Sequence, residues 1–173
     1  LAAAYGQTHL VTPHLDKFAS TALTFSRAMV QFSHCSPSRN SFLSGRSPQR
    51  TKTYNFINSF RDKGVGENWT ALPEFSKNND DYVAGGGKVD HPGRPPNNDF
   101  PRSWDVYFKP NGDDGGCREN ETIYSNVCPS DEPLSSFYDW VLANGTVAQL
   151  ELASSMDKPF FIAAGLRRPH RLW

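Results

Sequence analysis

The chain has 173 residues, with 18 Lys and Arg against 18 Asp and Glu, so its formal net charge is zero. That balance gives no reason to expect nucleic acid or an acidic membrane as a partner, and no apolar stretch is long enough to span a bilayer. Aromatic residues at 13% exclude a compositionally disordered chain, while 37% hydrophobic content with 13 Gly and 13 Pro predicts long loops, or surface that other segments cover.

The chain opens on LAAAY, with no initiator Met and no signal peptide, and stops on RPHRLW; both ends fall in mid-pattern, and a piece of a longer protein is expected. Thr12-Pro13 starts a helix, with Thr as N-cap and Pro at the first helical position, and Leu15, Phe18, Ala19 and Ala22 recur at helical spacing. Leu23, Phe25 and Ala28 to Val30 suggest a following strand. Ser33 to Pro37 form a polar turn; Pro37 opens the next helix, Phe42 and Leu43 face inward, and Gly45 stops it. Leu72 and Phe75 mark another short helix. Tyr82-Val83-Ala84 is a short buried strand running into Gly85-Gly86-Gly87. Residues 89–118 are rich in Pro, Gly, Asn and Asp and read as a long irregular excursion. Residues 134–156 are helical in part, with a possible break at Asn144-Gly145, and Pro159 to Ala164 form a buried strand ending at Gly165. Strands alternating with helices predict an α/β fold with a largely parallel sheet.

Three cysteines are present. Cys117 and Cys128 lie in a polar stretch of turn residues, at a spacing that suits a local disulfide; two free surface thiols are the other reading. Asn68, Asn120 and Asn144 each begin an N-x-Thr sequon. Sequons with a disulfide favour an oxidising compartment, hence a secreted or lysosomal protein.

Cys35 is left over. A lone Cys is often just a small buried hydrophobe. This one precedes Pro37 at a predicted helix start, where free N–H groups and the helix dipole favour an anion, and Arg39 lies one turn on. Lys88, His91 and His170 each follow a predicted strand, and ligands of open parallel sheets gather at the carboxyl ends of strands. A nucleophile at a helix start among cations suits an oxyanion substrate, sulfate or phosphate. Taken singly, Lys88 reads as a solvated surface group, His91 as a turn residue, and His170 beside Arg167 and Arg168 as part of an exposed basic patch.

Cys35-Ser36-Pro37-Ser38-Arg39 followed by Leu43-Ser44-Gly45-Arg46 resembles the signature of the formylglycine-dependent (type I) sulfatases. TPHLDKFAS at 12–20, GKVDHPG at 87–93, the two-cysteine segment and PFFIAAGLRRPH at 159–170 follow the order of the branch that acts on iduronate-2-sulfate. The resemblance takes residues 1–173 as part of one catalytic domain with an irregular excursion around 89–130. It implies an alkaline-phosphatase-like α/β fold, present as an N-terminal part without its first strand. It also implies hydrolysis of sulfate esters of sulfated sugars, such as iduronate-2-sulfate in glycosaminoglycans. In such enzymes the cysteine is oxidised to an aldehyde, whose hydrate attacks sulfur with one hydroxyl and releases sulfate with the help of the other. By resemblance, Arg39 steadies the diol and Lys88 contacts sulfate as a point charge. His91 assists breakdown of the sulfated diol, and His170 binds sulfate or protonates the leaving alcohol, roles that the two can exchange. Calcium is the implied metal. Modified Cys35 is the one calcium ligand this chain supplies; the others lie outside it, as would the rest of the sulfatase chain or another subunit. Asp90 stands where the family usually has an apolar residue. Two other readings are a non-catalytic relative with a binding or assembly role, and a phosphate or phosphonate ester hydrolase, against which Cys35 weighs because many of those use Ser or Thr.

Overall fold

The computed structural model describes residues 5–7, 9–111, 133–168 and 170. The proposed Cys117–Cys128 disulfide and the Asn120 sequon lie outside them. The chain divides into two compact units, residues 1–30 and 31–173.

In the smaller unit, helix α1 spans Pro13–Ala19, as the Thr-Pro start predicts. Thr12 donates from its hydroxyl to the Asp16 carboxylate at 3.1 Å, which ties the first turn. None of the residues of α1 is buried; Leu15 and Phe18 stand exposed. The strand expected from Leu23 to Val30 does not form. Those residues are turns and irregular backbone, Leu23, Phe25, Met29 and Val30 are all exposed, and among the described residues no strand pairs with them.

The larger unit holds helices α2 (Cys35–Ser44), α3 (Pro48–Thr51), α4 (Leu72–Asn78) and α5 (Tyr138–Ser154), and strands β1 (Tyr82–Gly87), β2 (Val106–Phe108) and β3 (Phe160–Gly165). The three strands form a parallel sheet in the order β2-β1-β3, with Ala84 opposite Val106 and Ile162. A central parallel strand is covered on both faces, and all six residues of β1 are buried. Alternation sorts its side chains. Val83 joins Leu43 of α2, Val89 and Trp104 on one face, with Phe161 and Ala163 packed against them. Tyr82 and Ala84 join Ala153 of α5 on the other, with Ile162 and Val106. Fully burying one such aliphatic or aromatic side chain contributes about 1.5–3 kcal/mol, so the alternating side chains of β1 anchor helices on both sides.

Three local expectations change. Strand β2 sits inside the stretch read as irregular; Asp105 just before it accepts from the Val83 N–H at 2.9 Å, so one side chain sets the pairing of a three-residue strand. Helix α5 runs through Asn144-Gly145 without a break. Asn144 donates from its side chain to the Trp140 carbonyl, and Gly145 lies where Phe108 leaves no room for a Cβ. In α2, Leu43 is buried but Phe42 is 51% exposed. The inward face runs through Ser36, Pro37, Asn40, Ser41, Leu43 and Ser44, and Phe42 falls on the opposite side of the helix.

Candidate active site

Helix α2 begins at Cys35, two residues before Pro37, because His34 takes an extended N-cap conformation and its carbonyl accepts from the Ser38 N–H at 3.1 Å. Pro37 then sits in the first turn, where its missing N–H costs nothing. The helix is seated by polar groups. Asn40 donates to the Ser36 carbonyl at 2.9 Å and accepts from the Phe60 N–H at 3.0 Å, while Ser44 donates to the Asn40 carbonyl at 2.6 Å. Gly45, at φ 65°, ends the helix in the left-handed conformation.

The sheet brings the other expected residues to this helix start. Both β1 and β3 run parallel, so Lys88 to His91 on one side and Arg167, Arg168 and His170 on the other leave from the same edge of the sheet. Cys35 is a free thiol, partly buried, with its Sγ 3.9 Å from Nε2 of His170. Lys88 is 5% exposed and interacts directly with the Cys35 side chain. Burial pulls the Lys88 ammonium below its usual range; Cys35 works the other way, and Arg39 and Arg167 add to the lowering. The charged groups acting on Lys88 therefore include two cations and no carboxylate.

Arg39 donates through one guanidinium nitrogen to the carbonyls of Lys88 and of Val89, the latter at 3.1 Å. Its Nε is buried with no partner, a donor left over for an added oxygen ligand. His91 stacks edge-on against Phe56, ring centroids 4.7 Å apart, and Phe56 meets His34 at 4.4 Å. Burial lowers the His91 pKa, the Pro92 carbonyl opposes this, and Lys88, Arg39 and Arg94 lower it further. The imidazole is thereby biased to its neutral form. Cys35, Arg39, Lys88 and His170 thus meet in one place, and His91 lies near enough to feel the charges of Lys88 and Arg39.

Sequence reasoning missed the groups that hold these loops. Asp139, in the first turn of α5, accepts from the backbone N–H groups of Arg167 at 2.7 Å and Arg168 at 2.9 Å. Tyr107 donates to the Gly87 carbonyl at 2.8 Å. A carboxylate in a first helical turn is a visible signal, but its tertiary target is not. A hollow of about 680 Å³ lies beside the His91 turn, bordered by Arg61, Arg94, Asp99 and Arg102, and none of the five expected residues lines it.

Calcium takes six to eight oxygen ligands. Among the described residues, no group of three or more His, Cys, Asp or Glu is placed to hold a metal ion. Position 35 faces an ammonium and an imidazole, so its described neighbours do not fit calcium.

A family model for sulfatases matches residues 2–173. The chain is 33% identical to the iduronate 2-sulfatases of Mus musculus and of Homo sapiens, over 96% of its own length and 32% of theirs; it spans about a third of the length of these relatives. Its fold matches a crystal structure of Ps i-CgsB in complex with k-i-k-neocarrahexaose at a TM-score of 0.69 and 19% identity, covering 95% of this chain and 41% of that one. The mixed α/β architecture is accordingly that of part of a sulfatase fold, and the chain belongs to the sulfatase family, close to iduronate 2-sulfatase.

Proposed function

We propose that this chain carries the nucleophile and part of the anion-binding cluster of a sulfate-ester hydrolase. Its substrates are sulfated sugars, such as iduronate-2-sulfate in glycosaminoglycans. The supporting observation is Cys35 at the first position of α2, with Sγ 3.9 Å from His170 Nε2 and Lys88 beside it.

Converted to formylglycine and hydrated, position 35 supplies one hydroxyl to attack sulfur and a second whose proton loss frees sulfate. Lys88 receives the sulfate oxygens. Its ammonium is desolvated and surrounded by Arg39 and Arg167, so an arriving anion relieves repulsion already built into the fold. Arg39 holds the Lys88 loop by its carbonyls and keeps Nε for the hydrated group. His170 is near enough to position 35 to give a proton to the departing sugar oxygen. His91, biased to its neutral form, takes the proton of the second hydroxyl; the two histidines can exchange these tasks.

Calcium, if used, needs ligands from the rest of the sulfatase chain or another subunit. The second reading is a sulfatase-like chain with a binding or assembly role. The compartment proposed is lysosomal or secreted. No helix among the described residues is long and apolar enough to cross a membrane. Asn68 is exposed in a turn and is a fit glycan acceptor; Asn144 is exposed too, but within helix α5.

The test uses full-length protein from its native source. Peptide mass spectrometry across residues 28–39 should find formylglycine at position 35, and Cys35→Ala should abolish sulfate release while leaving the thermal transition in place. An unmodified thiol throughout, with no sulfate released, would sink the hydrolase reading and leave the binding role.

A further inference from the structure

Asp90 has no task in the chemistry above, yet it sits between Lys88 and His91 in the loop that presents them. It is 1% exposed. One carboxyl oxygen accepts from the His91 N–H at 2.8 Å; the other, Oδ2, is buried with no partner. A buried polar atom without a partner is uncommon and costs free energy. The charges acting on Asp90 are Asp99, which repels, and Arg39, which attracts. Arg39 carries the matching orphan, its buried Nε. Asp99 is already engaged by Arg61 and Ser103, and Tyr107 from β2 is the remaining titratable group that faces Asp90.

We propose that Asp90 is a positioning residue that sets how strongly the loop binds an anion. While its carboxyl is protonated, the charge of Arg39 stays available to a sulfate group. Once ionised, it is an internal counter-anion that draws on Arg39 and repels the incoming sulfate. This rests on the sulfate-ester reading of the site and gives it a built-in preference for acidic conditions. Burial, reinforced by Asp99, pushes the Asp90 carboxyl up to about 7, against the pull of the His91 N–H and Arg39. The change is therefore centred near neutral pH. An anion that prefers the protonated form must, by reciprocity, raise the pKa of that form.

The experiment uses the full-length protein and inorganic sulfate as probe. Inhibition by sulfate of the hydrolysis of an aryl sulfate ester is measured from pH 5 to 8.5 for the natural protein and for Asp90→Asn. The natural protein should lose about tenfold in sulfate affinity per pH unit above the Asp90 midpoint, over and above the titration of its histidines. Asp90→Asn should remove that excess, so that the ratio of the two affinities grows with pH. Parallel profiles would overturn the proposal. Carbon-13 NMR of the Asp90 carboxyl in the natural protein gives a second readout that needs no variant. Its midpoint should move up when sulfate is added, and a midpoint indifferent to saturating sulfate counts equally against the idea. Failure of the hydrolase reading looks different: no ester is cleaved at any pH, whatever the NMR midpoint does.

Discussion

Arg39 and Arg61 are both arginines anchored on backbone carbonyls in the larger unit, yet they keep opposite electrostatic company. Arg61 donates to the Trp69 carbonyl, to both oxygens of Asp99 at 2.9 and 2.6 Å, and to Glu74 at 2.7 Å; Arg102 binds the other Glu74 oxygen at 2.8 Å. Two cations meet two carboxylates, and the set is closed. Burial opposes the Arg61 charge, but the hydrogen bonds it donates to Asp99 and Glu74 outweigh it and raise its pKa. Arg39 bonds only to loop carbonyls, its charge adds to that of Arg167 on the Lys88 ammonium, and the carboxyl it attracts, Asp90, is pushed up to about 7 by burial and so is only partly ionised at neutral pH. A closed set is built to hold shape. An open one keeps charge in reserve for something that arrives later.

Breaking the closed set should have the largest effect. Arg61→Ala leaves Glu74 and Asp99, whose side chains are 10% and 11% exposed, facing each other without their shared cation. Removing one partner of a buried pair costs about 3–5 kcal/mol, to be read from urea denaturation. A loss below about 1 kcal/mol would mean that the network is a surface ornament. The same set should respond to acid. Burial works against ionised Glu74, but Arg102, Arg61 and the Ala71 N–H outweigh it and hold its pKa below the usual 4.5. Its contribution is therefore full above 4.5 and is lost as pH falls through the lowered value.

Opening the other set further should act on binding, not on folding. Lys88→Met removes one charged contact to sulfate, worth about 1.5–3 kcal/mol, or roughly ten- to a hundredfold in affinity. It also removes a desolvated ammonium, so stability should hold or rise. A stability loss comparable to that of Arg61→Ala would erase the distinction between the two clusters. The smallest effect belongs to an ion pair in neither class. Lys158 and Asp80 are 3.6 Å apart with Asp80 98% exposed, and Asp80→Asn should change stability by less than about 0.5 kcal/mol.

The open cluster was more legible in the sequence than the closed one. Cys35, Arg39, Lys88, His91 and His170 could be placed together because each lies at a helix start or strand end, and parallel topology sends strand ends to one edge. Arg61, Glu74, Asp99 and Arg102 occupy turns and a helix with no periodic signal, and their partners lie 13 to 38 residues apart. Helix α2 was recognisable from Pro37 and Gly45, but its buried face was not, since Ser36, Asn40 and Ser44 are polar and their acceptors are backbone groups. Asp90 stood out only as a polar residue where the family usually has an apolar one, and its burial was not legible, because burial of a loop depends on what packs over it. The strand expected at 23–30 failed for a related reason: apolar residues announce a wish to be covered, not the identity of the cover.

Gly87 and Gly165 face each other in the β1–β3 register, and the Lys88 N–H donates to the Gly165 carbonyl at 2.7 Å. A Cβ on Gly87 would stand 2.6 Å from that carbonyl oxygen, and one on Gly165 would collide with the Lys88 backbone. The gap between the two cationic loops is therefore gauged by main chain against main chain, like a caliper closed on its own jaws. Side chains drift in size as a core is repacked, but this gauge contains none. Substitutions at Val83 or Phe161 can weaken the sheet long before they alter how far apart Lys88 and His170 are set.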